Sequence, residues 1–275
     1  MTDKAAWETE TGRVWAENYR RTDRSFAGLT DRLLGAASAR RINRALDIGC
    51  GAGELSLALA RGHPHASFHG IDVSADLVAV ARERGAHLGN AAFETADAAS
   101  WSRDSFRPDL LASRHGVMFF DDPGQAFSHL HSVAAEGARL VFSCFRSPGE
   151  NAWASDIVRM VSVDQPRAPA AGHYAPGPFA FADSSYVEAL LRQAGWSDCR
   201  FEPVDFAFVL GAGDSAVEEA MEHLARIGPA ATLAASLGEP EKADFRARLR
   251  RYLERAAEPG LVALKAGAWI VTASH

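Results

Sequence analysis

Two carboxylates and three glycines pose the first chemical question in this chain. The run Arg44-Ala45-Leu46-Asp47-Ile48-Gly49-Cys50-Gly51-Ala52-Gly53-Glu54 sets Asp47 just ahead of glycines at alternate positions. Asp72 follows roughly 20 residues later, the distance at which a carboxylate grips ribose hydroxyls. Glycines without Cβ let a backbone come close to a ligand, and a helix amino terminus behind them offers free N–H groups. This is nucleotide-binding chemistry. Further along, His115, His173 and Tyr174 are groups able to orient or move a proton, and Asp97 follows a short apolar segment.

The elements that position these groups are legible in the pattern. Residues 45 to 48 read as a strand, Leu55, Leu57, Leu59 and Ala60 as a helix, and residues 66 to 71 as a second strand ending on Asp72. In a dinucleotide fingerprint the third glycine would fall at position 54, which holds Glu54. A pyrophosphate there would face Asp47 and Glu54, whereas a sulfonium amino acid carrying positive charge suits the site. At this point the sequence resembles the class I S-adenosylmethionine-dependent methyltransferases. The resemblance implies S-adenosyl-L-methionine as cofactor, cradled by Asp47, Gly49, Cys50, Gly51 and Gly53, with Asp72 and Val73 at the ribose. It implies that Asp97 bonds the adenine amino group and that the Ala98 N–H meets a ring nitrogen. An Asp after a strand taken by itself would read as a loop cap.

In a doubly wound sheet, ligands sit beyond the carboxyl ends of the strands. The loop after a strand at 108 to 113 should therefore face the donor's methionine end, with Ser113 among its contacts. The wording from Ser113 to Pro123 resembles a small-molecule branch related to the ubiquinone- and menaquinone-pathway C-methyltransferases, many of which carry Phe where this chain has His115. A histidine there is a candidate general base; filling an aromatic's space is the alternative. Residues 4 to 38 read as two helices. Their aromatics serve equally well as packing, but in the family the amino-terminal helices resemble a lid, which makes Trp15 and Tyr19 candidate contacts.

With 275 residues, 47% hydrophobic and 23% charged, the chain has the size and balance of a single α/β domain with additions, which the resemblance implies is a methyltransferase domain. The expected divisions are a lid (1–40), a cofactor-binding half (41–146), an acceptor-side cover (147–182) and the last strands (183–275), with a helical insert at 214–258. The fold expected is a doubly wound, Rossmann-like, seven-stranded sheet with an antiparallel last strand. A net charge of −6 argues against nucleic acid as main partner. No run of about 18 apolar residues predicts a membrane span, the amino terminus lacks an apolar leader core, and Cys50, Cys144 and Cys199 form no metal spacing. A cytoplasmic enzyme, monomer or homodimer, acting on a small molecule is the expectation. The cover's Trp153, Phe179 and Phe181 suggest an aromatic or lipophilic acceptor, with His173 and Tyr174 as further candidates for positioning. Methyl transfer would proceed by in-line displacement, chiefly through alignment and exclusion of water. The competing readings are a protein that binds S-adenosylmethionine without transferring methyl, a nicotinamide dehydrogenase disfavoured by Glu54, and a nucleic-acid methyltransferase disfavoured by Gly124 after Asp122-Pro123.

Overall fold

The computed structural model describes residues 4–160 and 174–275; His173 lies outside the described residues. Four short helices open the chain: α1 (Lys4–Glu8), α2 (Glu10–Glu17), α3 (Tyr19–Ser25) and α4 (Ala27–Ala37). Two helices were the expectation over this stretch. The breaks arise locally: the Asn18 side-chain amide donates to the Val14 carbonyl at 2.8 Å, and the Thr9 hydroxyl donates to Ala5 O. Such side-chain bonds offer the backbone an alternative to continuing the helix.

The expected βαβ unit follows as β1 (Arg44–Ile48), α5 (Glu54–Gly62) and β2 (Ser67–Asp72), then α6 (Ala75–Gly85) and β3 (Ala91–Thr95). Ser74 caps α6 by accepting from Leu77 N. The chain continues through β4 (Leu110–Arg114), α7 (Pro123–Val133), β5 (Arg139–Phe145), α8 (Ala152–Arg159), α9 (Ser184–Gln193) and β6 (Ser197–Ala212). The insert holds α10 (Ala216–Arg226), α11 (Pro229–Ser236) and α12 (Glu239–Ala256), and the chain closes with a two-residue β7 (Ala257–Glu258) and β8 (Leu261–Ser274).

The sheet order is β3-β2-β1-β4-β5-β8-β6, with β7 paired to β8. Strands β1 to β5 run parallel, and β8 lies antiparallel to both β5 and β6. Leu46, Ile48, Leu110, Leu111, Leu140 and Phe142 are buried, as strands covered by helices on both faces require. Leu29 and Leu33 make α4 part of this core. Strand order reverses between β1 and β4, and a crevice opens at their carboxyl ends. No helix among the described residues is long and apolar enough to cross a membrane.

Candidate active site

The crevice is a cavity of about 370 Å³, within the range of small-molecule sites. Its floor exists because two turns touch back to back. Gly49 has φ +63°, and a Cβ there would lie 2.9 Å from Gly116 Cα, in the turn after β4. Ser113 Oγ locks the pair by donating to Ile48 O at 2.7 Å while accepting from Gly116 N. Gly51 has φ +54°, lines the cavity, and has nothing within 4 Å of a Cβ built on it. The structure thus leaves at Gly51 a space that any other side chain would fill.

Asp72 ends β2 with its carboxylate accepting from Gly51 N at 2.8 Å and Ser74 N at 2.9 Å. Burial raises its pKa against those amides. Asp47 is buried; its Oδ2 accepts from Ser56 N and Oγ, whereas Oδ1 has no partner. Burial pushes its pKa up to about 6, opposed by Ser56 and the Arg114 charge. Asp97 accepts from Lys4 Nζ at 2.6 Å and from Ala99 N at 2.9 Å. Although burial disfavours its charge, these bonds leave its pKa lowered.

An ion-pair network fastens the amino-terminal helices over this end. Asp23 of α3 meets Arg84 of α6 at 2.9 Å and Arg114 of β4 at 3.0 Å. Arg84 also meets Glu54 at 2.6 Å and lies 4.6 Å from the centroid of the Tyr19 ring. Another part of the lining is a wall of rings, reached by Arg114, whose guanidinium lies 5.5 Å from the Phe26 ring centroid. Centroid separations of 5.1, 5.1, 5.5, 4.9 and 4.2 Å run from His115 through Phe26, Phe208, Trp153 and Phe145 back to His115. Asn151, fully buried, fixes this wall by accepting from Trp153 Nε1 and Gly267 N while donating to Gly267 O.

His115 occupies the turn after β4 with φ 67°, a conformation His tolerates better than most residues. Its Nδ1 lies 2.6 Å from Ser143 Oγ, and its buried Nε2 has no partner. Burial, reinforced by the Arg114 charge, pulls its pKa down to about 3, so the imidazole is neutral at pH 7. In the unfolded chain it protonates near 6.5. Acidification from 6.5 toward 3 therefore adds a proton to the unfolded state alone, and the stability held at neutral pH falls. Between pH 7 and 5 this group should cost about 2 kcal/mol. His115→Phe is expected to flatten the fall in urea midpoint over that interval relative to wild type. Identical pH slopes would contradict the neutral, buried imidazole.

Of the residues singled out in the sequence, Asp47, Gly49, Cys50, Gly51, Asp72, Val73, Asp97, Ala98, His115, Trp15 and Tyr19 converge on the cavity. Gly53 and Ser113 do not line it: Gly53 begins α5 against Ala81 and Phe93, and Ser113 ties the two turns together. Tyr174 also lies off the cavity, its hydroxyl donating to Phe120 O at 2.6 Å. Sequence reading missed Asp23, Phe26, Arg114, Phe145, Phe208 and His223 as lining residues. His223 alone carried a signal, a histidine on the helix face that buries Ala216, Ala220 and Leu224.

Residues 45–137 match the family described as methyltransferase domain. A trans-aconitate 2-methyltransferase from Variovorax paradoxus is 32% identical over 122 residues, covering 44% of this chain and 46% of that protein. A malonyl-[acyl-carrier protein] O-methyltransferase from a Paenibacillus species is 33% identical over 106 residues, covering 36% and 38%. The chain thus matches less than half the length of either relative. Among solved structures, phosphoethanolamine N-methyltransferase 2 of Haemonchus contortus, in complex with phosphomonomethylethanolamine and S-adenosylhomocysteine, superposes with a TM-score of 0.55 at 16% identity. That superposition covers 97% of this chain and 60% of that one. The [4+2]-cyclase SpnF gives 0.53 at 19% identity, over 89% and 79%.

The chain is built on the class I S-adenosylmethionine-dependent methyltransferase fold. The stretch that matches the methyltransferase domain family runs from β1 to the turn before β5.

Proposed function

We propose that this protein binds S-adenosylmethionine and transfers its methyl group to a small, flat, uncharged and largely apolar acceptor. The donor side rests on fit. The unpartnered Asp47 Oδ1 and the open space at Gly51 suit a cationic amino acid lying against the glycine turn, and Asp72 suits ribose hydroxyls. When bound, the donor supplies a sulfonium-activated methyl group. The protein's residues then orient the acceptor and keep water out.

The observation that carries the acceptor class is the charge of the lining. Among the described residues, Asp23, Asp47, Asp72, Asp97, Asp121 and Asp122 face the cavity. Its two cations, Lys4 and Arg114, are both already paired, with Asp97 and Asp23. A tricarboxylate such as trans-aconitate would enter against this field with no free cation among the described lining residues to receive it. The ring wall instead favours an aromatic body. His115 lines the cavity with Nδ1 engaged by Ser143, which leaves the unpartnered Nε2 as its hydrogen-bonding group for the acceptor. With so low a proton affinity it suits a readily ionised hydroxyl, phenolic or enolic, better than an aliphatic alcohol.

The test is transfer of labelled methyl from S-adenosylmethionine to a panel containing naphthols, hydroxyquinones, trans-aconitate and malonyl-acyl-carrier protein. Labelling of the neutral aromatic compounds and not of trans-aconitate is expected. Turnover of trans-aconitate would overturn the acceptor class, and donor binding with no transfer to any compound would favour a non-methylating role.

A further inference from the structure

We propose that His223 is a second polar anchor for the acceptor, and that the acceptor is a flat apolar molecule with two hydrogen-bonding groups, one meeting His115 and the other His223. The inference rests on the reading of this cavity as a methyl-acceptor site. It adds a residue that comes from the helical insert rather than from the cofactor-binding half.

His223 lies on α10 beside Leu224, on the helix face turned toward the sheet, and is 3% exposed. It lines the cavity together with Leu224 and Ile227, and its Nδ1 is buried without a hydrogen-bond partner. A buried polar atom with no partner costs free energy that a structural histidine ordinarily avoids by finding a carbonyl or hydroxyl. No described residue supplies one here. The neighbouring cations do not take that place: Arg24 and Arg21 of α3 turn to Glu219, at 2.8 and 3.5 Å. Burial and those two charges keep the imidazole neutral, with its pKa down to about 4. It can therefore donate through one nitrogen and accept through the other.

The placement relative to His115 gives the acceptor its shape. Ring contacts join the two imidazoles through Phe26 and Phe208, with the Phe208 and His223 centroids 6.2 Å apart at 89°. Two neutral imidazoles with unpartnered nitrogens thus share a lining otherwise made of aromatic faces. A body that stacks on those rings and carries a hydroxyl or carbonyl toward each imidazole satisfies both orphan atoms. A purely hydrocarbon body satisfies neither. His223 is accordingly a positioning residue that selects the acceptor's far substituent.

The test uses the full chain saturated with S-adenosylhomocysteine and titrated with 2,6-dihydroxynaphthalene or 2-naphthol. The diol should bind wild type about tenfold more tightly than the mono-ol, the effect of one additional buried hydrogen bond. His223→Leu should bring the two compounds to within about twofold while leaving 2-naphthol and S-adenosylhomocysteine binding unchanged. His223→Gln, which keeps a donor and an acceptor, should restore most of the preference. A wild type that binds neither compound or both equally, or a preference that survives in His223→Leu, overturns the proposal. If the leucine variant does not fold, ring-nitrogen NMR of wild type decides: the His223 signals should move on adding the diol, and static signals overturn it. Failure of S-adenosylhomocysteine to bind wild type defeats the donor reading instead, whereas normal donor binding with unchanged diol preference defeats only the role of His223.

Discussion

Asp72→Ala is expected to weaken S-adenosylmethionine binding roughly 100-fold or more, the largest effect of any single substitution on the donor side. A carboxylate accepting two ribose hydroxyls contributes about 1.5–3 kcal/mol for each charge-assisted bond, and tenfold in affinity corresponds to about 1.4 kcal/mol. The substitution acts twice. It removes the acceptor for ribose, and it releases Gly51 N and Ser74 N, the amides that hold the glycine turn against the end of β2. Asp72→Asn keeps one carboxamide oxygen and the same shape, so its loss should be smaller, on the order of tenfold. Calorimetric titration of the three proteins orders them. An Asp72→Ala protein that binds the donor as wild type does would remove this carboxylate from the site.

Two glycines two residues apart should respond to alanine in opposite ways. At Gly49 the added methyl would sit 2.9 Å from backbone Cα of Gly116, in a left-handed conformation that alanine already disfavours. Neither turn can retreat, because Ser113 bonds to both. Gly49→Ala should therefore cost about 2–4 kcal/mol of stability, from overpacking plus the left-handed penalty. At Gly51 no protein atom lies within 4 Å of the added methyl, so only the left-handed penalty of about 1–2 kcal/mol applies to folding. There the methyl occupies cavity space instead, and donor affinity should fall at least about tenfold, the scale of one steric misfit in a packed pocket. Thermal unfolding and donor titration on both variants separate the two. Equal donor affinity in Gly51→Ala and wild type would mean that the ligand does not approach this turn.

The glycine-turn half of the cavity was legible in the sequence because it is built by backbone path. Glycines at 49 and 51 and acids at 47 and 72 announce a turn, a helix start and a strand end within one short stretch, and the structure assembles them from β1, α5 and β2 alone. His115 was legible for the same reason, standing just past a strand end. The ring-walled half was legible only at Trp153, which stood out in the cover. Phe26, Phe145 and Phe208 come from the α3–α4 junction, β5 and β6, and each taken singly reads as an ordinary core aromatic. Only the sheet order, which brings β5 and β6 to either side of β8, shows that they enclose one space. The same limit hid Asp23, whose role depends on Arg84 and Arg114 reaching it from opposite sides. Tyr174 shows the converse error of reading by residue type. A phenol in a loop looks available, yet its proton is committed to Phe120 O and its pKa is driven up by burial.

Methyl transfer requires that the glycine turn hold a sulfonium donor rather than a dinucleotide. Calorimetric titration of the wild-type protein with S-adenosylmethionine, S-adenosylhomocysteine and NADH tests that directly. Micromolar binding of the first two and none of the third is expected, since the unpartnered Asp47 carboxylate opposes a pyrophosphate where a cationic amino acid fits. Binding of NADH with no response to either sulfur compound would contradict the donor site and the methyl-transfer chemistry built on it.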